Sequence, residues 1–311
     1  MTGYHIYYQF GEDSEFEEIN HLVLLSSIVN WKKNYGPIKL FCNKKYLESI
    51  SKYGIDKEYD FIDTELIETV PYKEHIKRYW SFCKIHLAKH ISKQESSFCI
   101  LDTDLWIQAP RLLLSDNRNG NCDLLFYHTE AFDLSYEQNP YPLPENWITE
   151  SELNDFDWSL PPCNCAIIAF KKNCNSLINA WYDKACEIIE RTKDNDSLPN
   201  VNADTIFIEQ RLLPVLAAKM KIKYDVILPN TYLTFVSTAE SNGQEWEPRL
   251  GHNEKSIRVS TYIKHIWGAK KFYSESWIRN LILQVTINSI PEKYQKMYPE
   301  LFLKCSEYVT V

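Results

Sequence analysis

Short apolar runs that alternate with amphipathic stretches fill the first third of this 311-residue chain. The apolar runs predict strands at Tyr4–Phe10, Ile38–Cys42 and Tyr59–Ile62, and apolar residues spaced three or four apart predict helices at Ile19–Trp31 and 76–91. Strands joined through helices pair in parallel, because each helix carries the chain back to the edge where the next strand starts. This alternation therefore predicts an α/β fold: a mixed, mostly parallel sheet with helices on both faces.

The second half of the chain continues the pattern less regularly. It predicts strands at Asp123–His128, Ala166–Phe170 and Val226–Leu228, and helices at about 177–189 and 204–213. Loops rich in Pro and Asn separate these elements, and loops commonly carry binding residues. No internal repeat or low-complexity linker interrupts the chain, so we expect one compact domain with a helical C-terminal extension.

The composition of the chain excludes several classes of function. A net charge of −8 argues against a protein that coats nucleic acid. The first residues, MTGYHIYYQFGED, lack the basic segment and apolar core of a signal peptide, and no apolar run is long enough to span a bilayer. Nine scattered cysteines favour reduced thiols, and Cys163 and Cys165 are interpreted as core thiols. We therefore expect a cytoplasmic protein with no nucleic-acid partner and no transmembrane segment.

A pair of aspartates directly follows the apolar run Phe98–Leu101. Asp-x-Asp occurs three times in the chain, but only Asp102 and Asp104 follow a predicted strand. Ligands bind beyond the carboxyl ends of strands in such sheets, and side chains two residues apart along a strand face the same way. Two converging carboxylates predict a site for Mg²⁺ or Mn²⁺, which usually keeps part of its coordination for substrate phosphates.

Two classes of enzyme place paired carboxylates beside an apolar strand. Phosphatases of the haloacid dehalogenase group carry Asp-x-Asp-x-Thr/Val, normally on the first strand. Here the fifth position is Trp106, and the pair lies about a third of the way along the chain. A metal-dependent phosphohydrolase is therefore an alternative that fits the sequence less well.

Four motifs between residues 84 and 271 resemble, in order and spacing, the GT-A type of nucleotide-sugar glycosyltransferase. They are most similar to the group that contains glycogenin and the lipopolysaccharide galactosyltransferases. The residues that stand at the motif positions, in chain order, are Lys84, Asp102, Asp104, Asn164, Glu209, Gln210, His265, Gly268 and Lys271. The chain departs from that group at three positions: Lys84 replaces an Arg, Ala166 replaces a Gly, and Arg211 replaces a third acidic residue.

The resemblance implies a role for each matching residue. It implies that Asp102, Asp104 and His265 hold Mn²⁺ or Mg²⁺. Substrate contacts are implied for Lys84, Asn164, Gln210, Gly268, Lys270 and Lys271. Glu209 is the implied catalytic carboxylate, either as a general base in an inverting transfer or as a stabiliser of an oxocarbenium-like transition state in a retaining one. Asp204 is a second candidate for that role.

The resemblance also implies the reaction and the division of the chain. We expect a metal-dependent enzyme that moves a sugar from a nucleoside-diphosphate sugar to a hydroxyl of a glycan, a lipid-linked sugar or a protein. Uridine is the expected base, with guanosine left open. The catalytic domain would span 1–274, with the nucleotide-sugar part at about 1–110 and the acceptor part at about 111–274. The extension at 275–311 leaves peripheral membrane association open. Because Arg211 replaces an acid, a non-catalytic binder of nucleotide sugar or glycan is the other alternative.

Overall fold

The computed structural model describes residues 1–11, 15–108, 113, 122–129, 148–172, 174–194, 206–227, 263–265 and 276–309. Its contacts divide the chain into two compact units, each made of separate stretches of sequence. The first unit comprises Met1–Thr64, Asp102–Leu112 and Thr231–Val311, and the second comprises Glu65–Leu101 and Leu113–Asn230.

Strands and helices alternate along the described residues. The strands are β1 (Thr2–Tyr7), β2 (Ile38–Cys42), β3 (Phe61–Asp63), β4 (Phe98–Leu101), β5 (Leu105–Ile107), β6 (Leu124–Thr129), β7 (Cys163–Phe170), β8 (Tyr224–Val226) and β9 (Ile263–His265). The α-helices are α1 (Glu17–Asn34), α2 (Lys44–Ser51), α3 (Phe82–Ile91), α4 (Glu150–Asp155), α5 (Asn175–Thr192), α6 (Leu212–Lys219), α7 (Ser276–Ser289), α8 (Glu292–Met297) and α9 (Pro299–Glu307). Short 3₁₀ turns lie at Ile55–Glu58, Leu66–Thr69 and Lys73–His75. No helix in this part of the chain is both long enough and apolar enough to cross a bilayer.

The first unit contains three parallel strands in the order β3-β2-β1. Gly3 pairs with Ile38 and Lys39 pairs with Phe61, so both neighbouring pairs are parallel, as the alternation of strands and helices predicts. A second, two-stranded sheet joins β5 and β9 in antiparallel fashion. The sequence pattern did not predict these two strands.

The second unit contains four strands in the order β4-β7-β6-β8. Strand β7 is antiparallel to both β4 and β6, whereas β8 is parallel to β6. Every residue of β7 is buried, as expected for a strand covered on both faces. Across the larger sheets of the described residues, three of the five pairings are parallel. This confirms the predicted α/β class with a mixed, mostly parallel sheet.

The helix predicted over 76–91 is shorter than its apolar spacing indicates. It begins at Phe82, and Lys73–His75 forms a separate 3₁₀ turn. Tyr79 lies between them with its ring buried, and its hydroxyl is 2.6 Å from the Thr192 hydroxyl. The apolar spacing of 76–81 thus reflects tertiary packing rather than a continuous helix.

Helix α1 is buried around most of its circumference, and the indole of its residue Trp31 packs against strand β1. A side chain at Gly3 would put its Cβ 2.5 Å from Cε2 of Trp31, whose Nε1 donates to the Pro37 carbonyl at 3.0 Å. Tyr35 also stacks on this ring, with centroids 4.6 Å apart, so the hydrogen bond and the stacking both restrain the indole against movement. Glycine at position 3 is therefore a packing requirement of the first unit.

Gly3→Ala is expected to lower the free energy of unfolding by about 1–3 kcal/mol, the usual cost of overpacking a core. Urea unfolding of the two proteins measures the difference. Gly11→Ala is the matched control, because a Cβ at Gly11 meets nothing within 4 Å. Equal stability of Gly3→Ala and Gly11→Ala would show that Trp31 can move aside.

The C-terminal helices pack on α1 within the first unit. The hydroxyls of Ser26 and Ser289 lie 2.5 Å apart, and Asn30 Nδ2 donates to the Ser289 carbonyl at 3.2 Å. At the other end of α1, Tyr308 donates its hydroxyl to Glu18 Oε2 at 2.8 Å. The predicted domain boundaries at 110 and 274 stay a prediction, but α7–α9 are part of the same compact unit as β1–β3.

In the second unit, Glu152 links α4 to α5. Its carboxylate accepts hydrogen bonds from Lys184 Nζ at 2.9 Å, Arg191 NH1 at 3.1 Å and the Thr149 N–H at 2.7 Å. Burial acts to raise the pKa of Glu152, but the Thr149 backbone, Lys184 and Arg191 outweigh it and lower the pKa to about 2. The ionised carboxylate is thus favoured by the folded state.

This lowered pKa predicts how stability depends on pH. The unfolded carboxyl takes up its proton near pH 4.5, before the folded one, so the stabilisation is complete above about pH 4.5 and is lost as the pH falls toward 2. The loss is expected to reach about 2–3 kcal/mol. Urea unfolding of wild type and Glu152→Gln between pH 7 and 3 measures it. The difference in the free energy of unfolding between wild type and Glu152→Gln should become smaller as the pH falls. Glu150→Gln, which changes another residue of the same helix, should have the same free energy of unfolding as wild type at every pH.

Candidate functional site

The aspartate pair lies in a turn between two strands of different sheets. Strand β4 ends at Leu101, residues 102–104 form the turn, and β5 begins at Leu105. Asp102 and Asp104 are both partly buried. They therefore follow the carboxyl end of a strand, as the sequence predicts. Strand alternation does not set their directions, because neither residue belongs to a strand; the turn does so instead.

The backbone of His265 lies beside this turn. His265 is the last residue of β9 and pairs with Leu105 of β5, the residue that directly follows Asp104. Residues 102–104 and 265 are far apart in sequence but belong to the same compact unit. The structure thus brings the backbone segments of all three predicted metal ligands together.

His5 is a buried histidine whose pKa the charge of Asp104 affects. His5 is fully buried, with its Nδ1 2.7 Å from the Tyr59 hydroxyl and its Nε2 3.1 Å from the Ser27 hydroxyl. Burial lowers the pKa of His5 to about 3, although the negative charge of Asp104 acts to raise it. At neutral pH the His5 ring is therefore uncharged.

The donor set in these segments fits a hard divalent ion. Carboxylate oxygens suit Mg²⁺ and Mn²⁺, and an imidazole nitrogen suits Mn²⁺ better than Mg²⁺. Among the side chains that the structure describes, no group of three or more His, Cys, Asp or Glu lies at metal-binding distance. The side chain of His265 is outside that set, so the three-ligand site with Asp102 and Asp104 stays a prediction.

Four of the other predicted site residues lie in the second unit, and two of them form a buried ion pair. Lys84 Nζ lies 2.7 Å from Glu209 Oε1, and the two side chains are only 5% and 1% exposed. The ammonium also donates to the Cys165 carbonyl at 3.3 Å. Burying both charges is tolerable only because they satisfy each other and a backbone oxygen. In this structure Lys84 holds Glu209, a contact that the sequence could not indicate.

Glu209 belongs to one turn of π-helix at Phe207–Arg211, which continues directly into α6. The Leu212 N–H donates to the carbonyl five residues back. Pro214 explains why a regular α-helix is disfavoured here, because it has no N–H for the Gln210 carbonyl and its ring crowds that oxygen. The helix predicted over 204–213 is thus a π-turn followed by an α-helix. Such turns occur frequently at functional sites.

Side chains from outside the π-turn occupy two of its carbonyl oxygens. Trp181 Nε1 donates to the Ile208 carbonyl at 2.7 Å, and the Cys165 thiol donates to the Glu209 carbonyl at 3.6 Å. Both donors are buried. The single thiol proton of Cys165 is shared, because the Cys163 carbonyl lies closer to its sulfur, at 3.4 Å. Cys165 therefore touches the Lys84–Glu209 pair through both its carbonyl and its thiol. A cysteine inside an apolar strand pattern gave no sequence signal of this role.

Asn164 directly precedes Cys165, whose carbonyl accepts from Lys84, and Gln210 directly follows Glu209. Asn164 is buried, and its Oδ1 accepts the Ala166 N–H at 2.9 Å. Gln210 directly follows Glu209 and is partly buried, so it is more accessible than the carboxylate. The predicted contacts of both residues with substrate stay predictions. The Asn164 contact stabilises the backbone of strand β7.

Arg211, where the resembling group has an acidic residue, is a core residue. It is fully buried, and its NH2 donates to the Trp158 carbonyl at 2.5 Å. Trp158 in turn stacks on Phe207, with ring centroids 5.7 Å apart. Burial lowers the pKa of Arg211 to about 10, so the guanidinium keeps its charge at neutral pH. The arginine that stands in place of the acidic residue is thus part of the core packing beside the π-turn.

The remaining predicted site residues lie outside the described part of the chain. They are Asp204, Gly268, Lys270 and Lys271. Their roles stay predictions.

Comparisons with known proteins give a uniform but weak likeness. No protein-family model matches the chain, and no curated protein matches it. Among solved structures, the chain is similar to the galactosyltransferase LgtC in complex with donor and acceptor sugar analogs (10% identity, 96% of this chain, 100% of that chain, TM-score 0.43). It is also similar to mouse xyloside xylosyltransferase 1 in its apo form (10% identity, 86% and 97% covered, TM-score 0.44).

A third similar structure is a glycosyltransferase involved in glycosylation of the major capsid of PBCV-1 (14% identity, 86% and 93% covered, TM-score 0.38). All three neighbours are glycosyltransferases. Because every TM-score is below 0.5, the likeness does not by itself assign an activity to this chain. The assignment has to come from the residues.

Proposed function

We propose that the protein is a metal-dependent glycosyltransferase that moves a sugar from a nucleoside-diphosphate sugar to an acceptor hydroxyl. The main support is the turn after β4, where Asp102 and Asp104 lie beside the backbone of His265, which pairs with Leu105. In the proposal these three residues hold Mn²⁺ or Mg²⁺. The bound cation supplies positive charge against the departing nucleoside diphosphate.

The Lys84–Glu209 pair favours one of the two roles considered for Glu209. A carboxylate that accepts a hydrogen bond from an ammonium at 2.7 Å has its charge engaged and is a poor proton acceptor. We therefore propose that Glu209 stabilises positive charge developing on the donor sugar, as in a retaining transfer. Lys84 fixes its orientation rather than contacting phosphate. Gln210 and Asn164 are proposed to hydrogen-bond the sugar.

Several finer points belong to the same proposal. Uridine is the proposed base of the donor, and the proposed acceptor is a hydroxyl of a glycan, a lipid-linked sugar or a protein. Lys270 and Lys271 are proposed to contact the diphosphate, next to Gly268. The proposed location is the cytoplasm.

The test is thermal unfolding against UDP, GDP, ADP and CDP, each with Mn²⁺, Mg²⁺ or EDTA. A ligand that binds only the folded protein stabilises it by about 2.7 kcal/mol at one hundred times its Kd, which should raise the Tm by about 5 °C. One nucleotide should give this shift with Mn²⁺ and lose it with EDTA. A shift that persists in EDTA would contradict a metal-bridged donor.

The chain provides its own matched control for this test. Asp157 belongs to another Asp-x-Asp pair, and its carboxylate accepts from the Ser159 N–H at 3.1 Å in an exposed turn. Asp157→Ala should keep the nucleotide-dependent shift, whereas Asp104→Ala should lose it. Equal loss in both variants would indicate a general effect of charge rather than a specific site.

The burial of Glu209 supports a second candidate, a protein that binds nucleotide sugar without turnover. Its side chain is only 1% exposed, and its charge is already paired. In that case Mn²⁺-dependent nucleotide binding would be present, but neither hydrolysis nor transfer of the sugar would occur. Product analysis with a panel of UDP- and GDP-hexoses distinguishes the two candidates.

A further inference from the structure

One tryptophan of the second unit stands apart from the others in its exposure. Trp80 is 38% exposed, whereas Trp31, Trp106, Trp158 and Trp181 are at most 8% exposed. These are the five tryptophans whose side chains the structure describes. Leaving a large aromatic ring partly in water forgoes burial free energy.

The inner face of Trp80 lies against the buried ion pair. Lys84 Nζ is 5.6 Å from the centroid of the indole ring, within the range of a cation–π contact. The same ammonium bonds to Glu209 at 2.7 Å and to the Cys165 carbonyl at 3.3 Å. Trp80 therefore borders the group to which the catalytic role is assigned, while part of its ring faces solvent.

The segment around Trp80 is anchored on both sides. Tyr79 is buried, with its hydroxyl 2.6 Å from that of Thr192. Phe82 is buried, with its ring centroid 5.6 Å from that of Tyr182. A ring presented by such a segment loses little conformational entropy when a ligand packs on it, which is a favourable property for a binding surface.

We propose that Trp80 is a platform on which a pyranose ring stacks during sugar transfer. The apolar C–H face of a pyranose carries slight positive charge, and the face of an indole is negative, so the two attract and exclude water. A cation is a less suitable ligand, because Lys84 already occupies one face. This inference rests on the proposed function, since it assumes that the region around Glu209 handles sugar.

The stacked ring can belong to the donor or to the acceptor, and kinetics separate the two. Hydrolysis of the donor without acceptor reports the KM for the donor alone, and transfer at saturating donor reports the KM for the acceptor. Trp80→Met keeps an apolar cover over Lys84 but removes the aromatic face. We expect it to raise one of the two KM values at least tenfold, whereas Trp80→Phe should change that value less than threefold.

Phe61→Ala is the control for loss of an exposed aromatic ring. Phe61 is 49% exposed and belongs to strand β3 of the first unit. The Phe61→Ala variant should have the same KM for the donor and the same KM for the acceptor as wild type. The proposal is overturned if Trp80→Met binds donor and acceptor as wild type does, with an unchanged Tm showing that the variant is folded.

A binding measurement keeps this proposal separate from the proposed function. Saturation-transfer NMR with UDP-glucose, UDP-galactose and the methyl glycosides of both sugars reports which ring protons contact the protein. Contact in wild type that is lost in Trp80→Met but kept in Trp80→Phe supports the platform, even if no turnover is found and the transferase proposal fails. If wild type contacts no pyranose of this panel, the platform is overturned.

Discussion

Asp104→Ala is expected to lower the turnover of a nucleotide sugar by about 1,000-fold, the scale of losing one charge-stabilising contact of a transition state. The residue lies in the turn after β4, next to Leu105, whose backbone pairs with His265. Removing its carboxylate takes away one of two negative charges proposed to hold the cation. Release of nucleoside diphosphate, measured across a range of Mn²⁺ concentrations, gives both kcat and the apparent metal affinity.

The measurements across Mn²⁺ concentrations decide whether the loss of turnover comes from the loss of a metal ligand. If Asp104 is a ligand, higher Mn²⁺ should recover part of the activity of the milder variant Asp102→Asn, while Asp104→Ala should stay low. Asp157→Ala should match wild type at every concentration. Full activity of Asp104→Ala, or activity of wild type that is unchanged by EDTA, would contradict the proposed metal role.

The stability of Asp104→Ala needs its own measurement, because the aspartate affects the buried His5. The Asp104 charge acts to raise the pKa of His5, which burial lowers to about 3. Without Asp104 the ring should become still harder to protonate, so no charge is stranded in the core at neutral pH. We therefore expect the Tm of the variant at pH 7.5 to stay close to that of wild type, and a folded, inactive protein is the expected result.

Local sequence patterns predicted the elements that are determined by residues close to one another in the chain. The parallel strands β1–β3 follow from apolar runs that alternate with helices, and the aspartate turn follows from Asp102 and Asp104 at the end of such a run. The sequence also contained a signal for the π-turn, because the helix predicted at 204–213 ends directly before Pro214, and a proline disfavours a regular α-helix in the preceding turn. The signal was present, but helical spacing alone does not distinguish a π-turn from an α-turn.

Contacts between distant residues were beyond local patterns. Lys84 and Glu209 are 125 residues apart, and nothing near either residue indicates that they meet in the core. The β5–β9 ladder joins three residues after the aspartate turn to three residues of a segment more than 150 positions later. The resemblance to a known group supplied Lys84, Glu209 and His265 as candidates, and only the structure shows that Lys84 pairs with Glu209.

The Lys84–Glu209 pair carries the second large prediction, which concerns stability and activity together. Lys84→Met leaves the Glu209 carboxylate buried without its ammonium, and Glu209→Met leaves the ammonium buried without its carboxylate. Each single variant is expected to lose about 3–5 kcal/mol of the free energy of unfolding. Urea unfolding at pH 7.5 measures both losses.

The double variant Lys84→Met/Glu209→Met should behave differently from either single variant. Two apolar side chains of similar volume replace the ion pair without a stranded charge, so its stability should return to within about 1–2 kcal/mol of wild type. Lys304→Met is the control, because Lys304 and Glu307 form a pair that is about half exposed on both sides and should contribute less than about 1 kcal/mol. Additive losses in the double variant would show that the two buried charges do not depend on each other.

Turnover of the double variant then tests why the pair is present. If Glu209 stabilises charge on the donor sugar, the double variant should be folded and nearly as stable as wild type, yet at least about 100-fold less active. Such a result would mean that this core holds two charges for function, since an apolar pair serves stability equally well. A double variant with wild-type turnover would instead remove Glu209 from the reaction, and the catalytic carboxylate would have to be sought elsewhere, with Asp204 the first candidate.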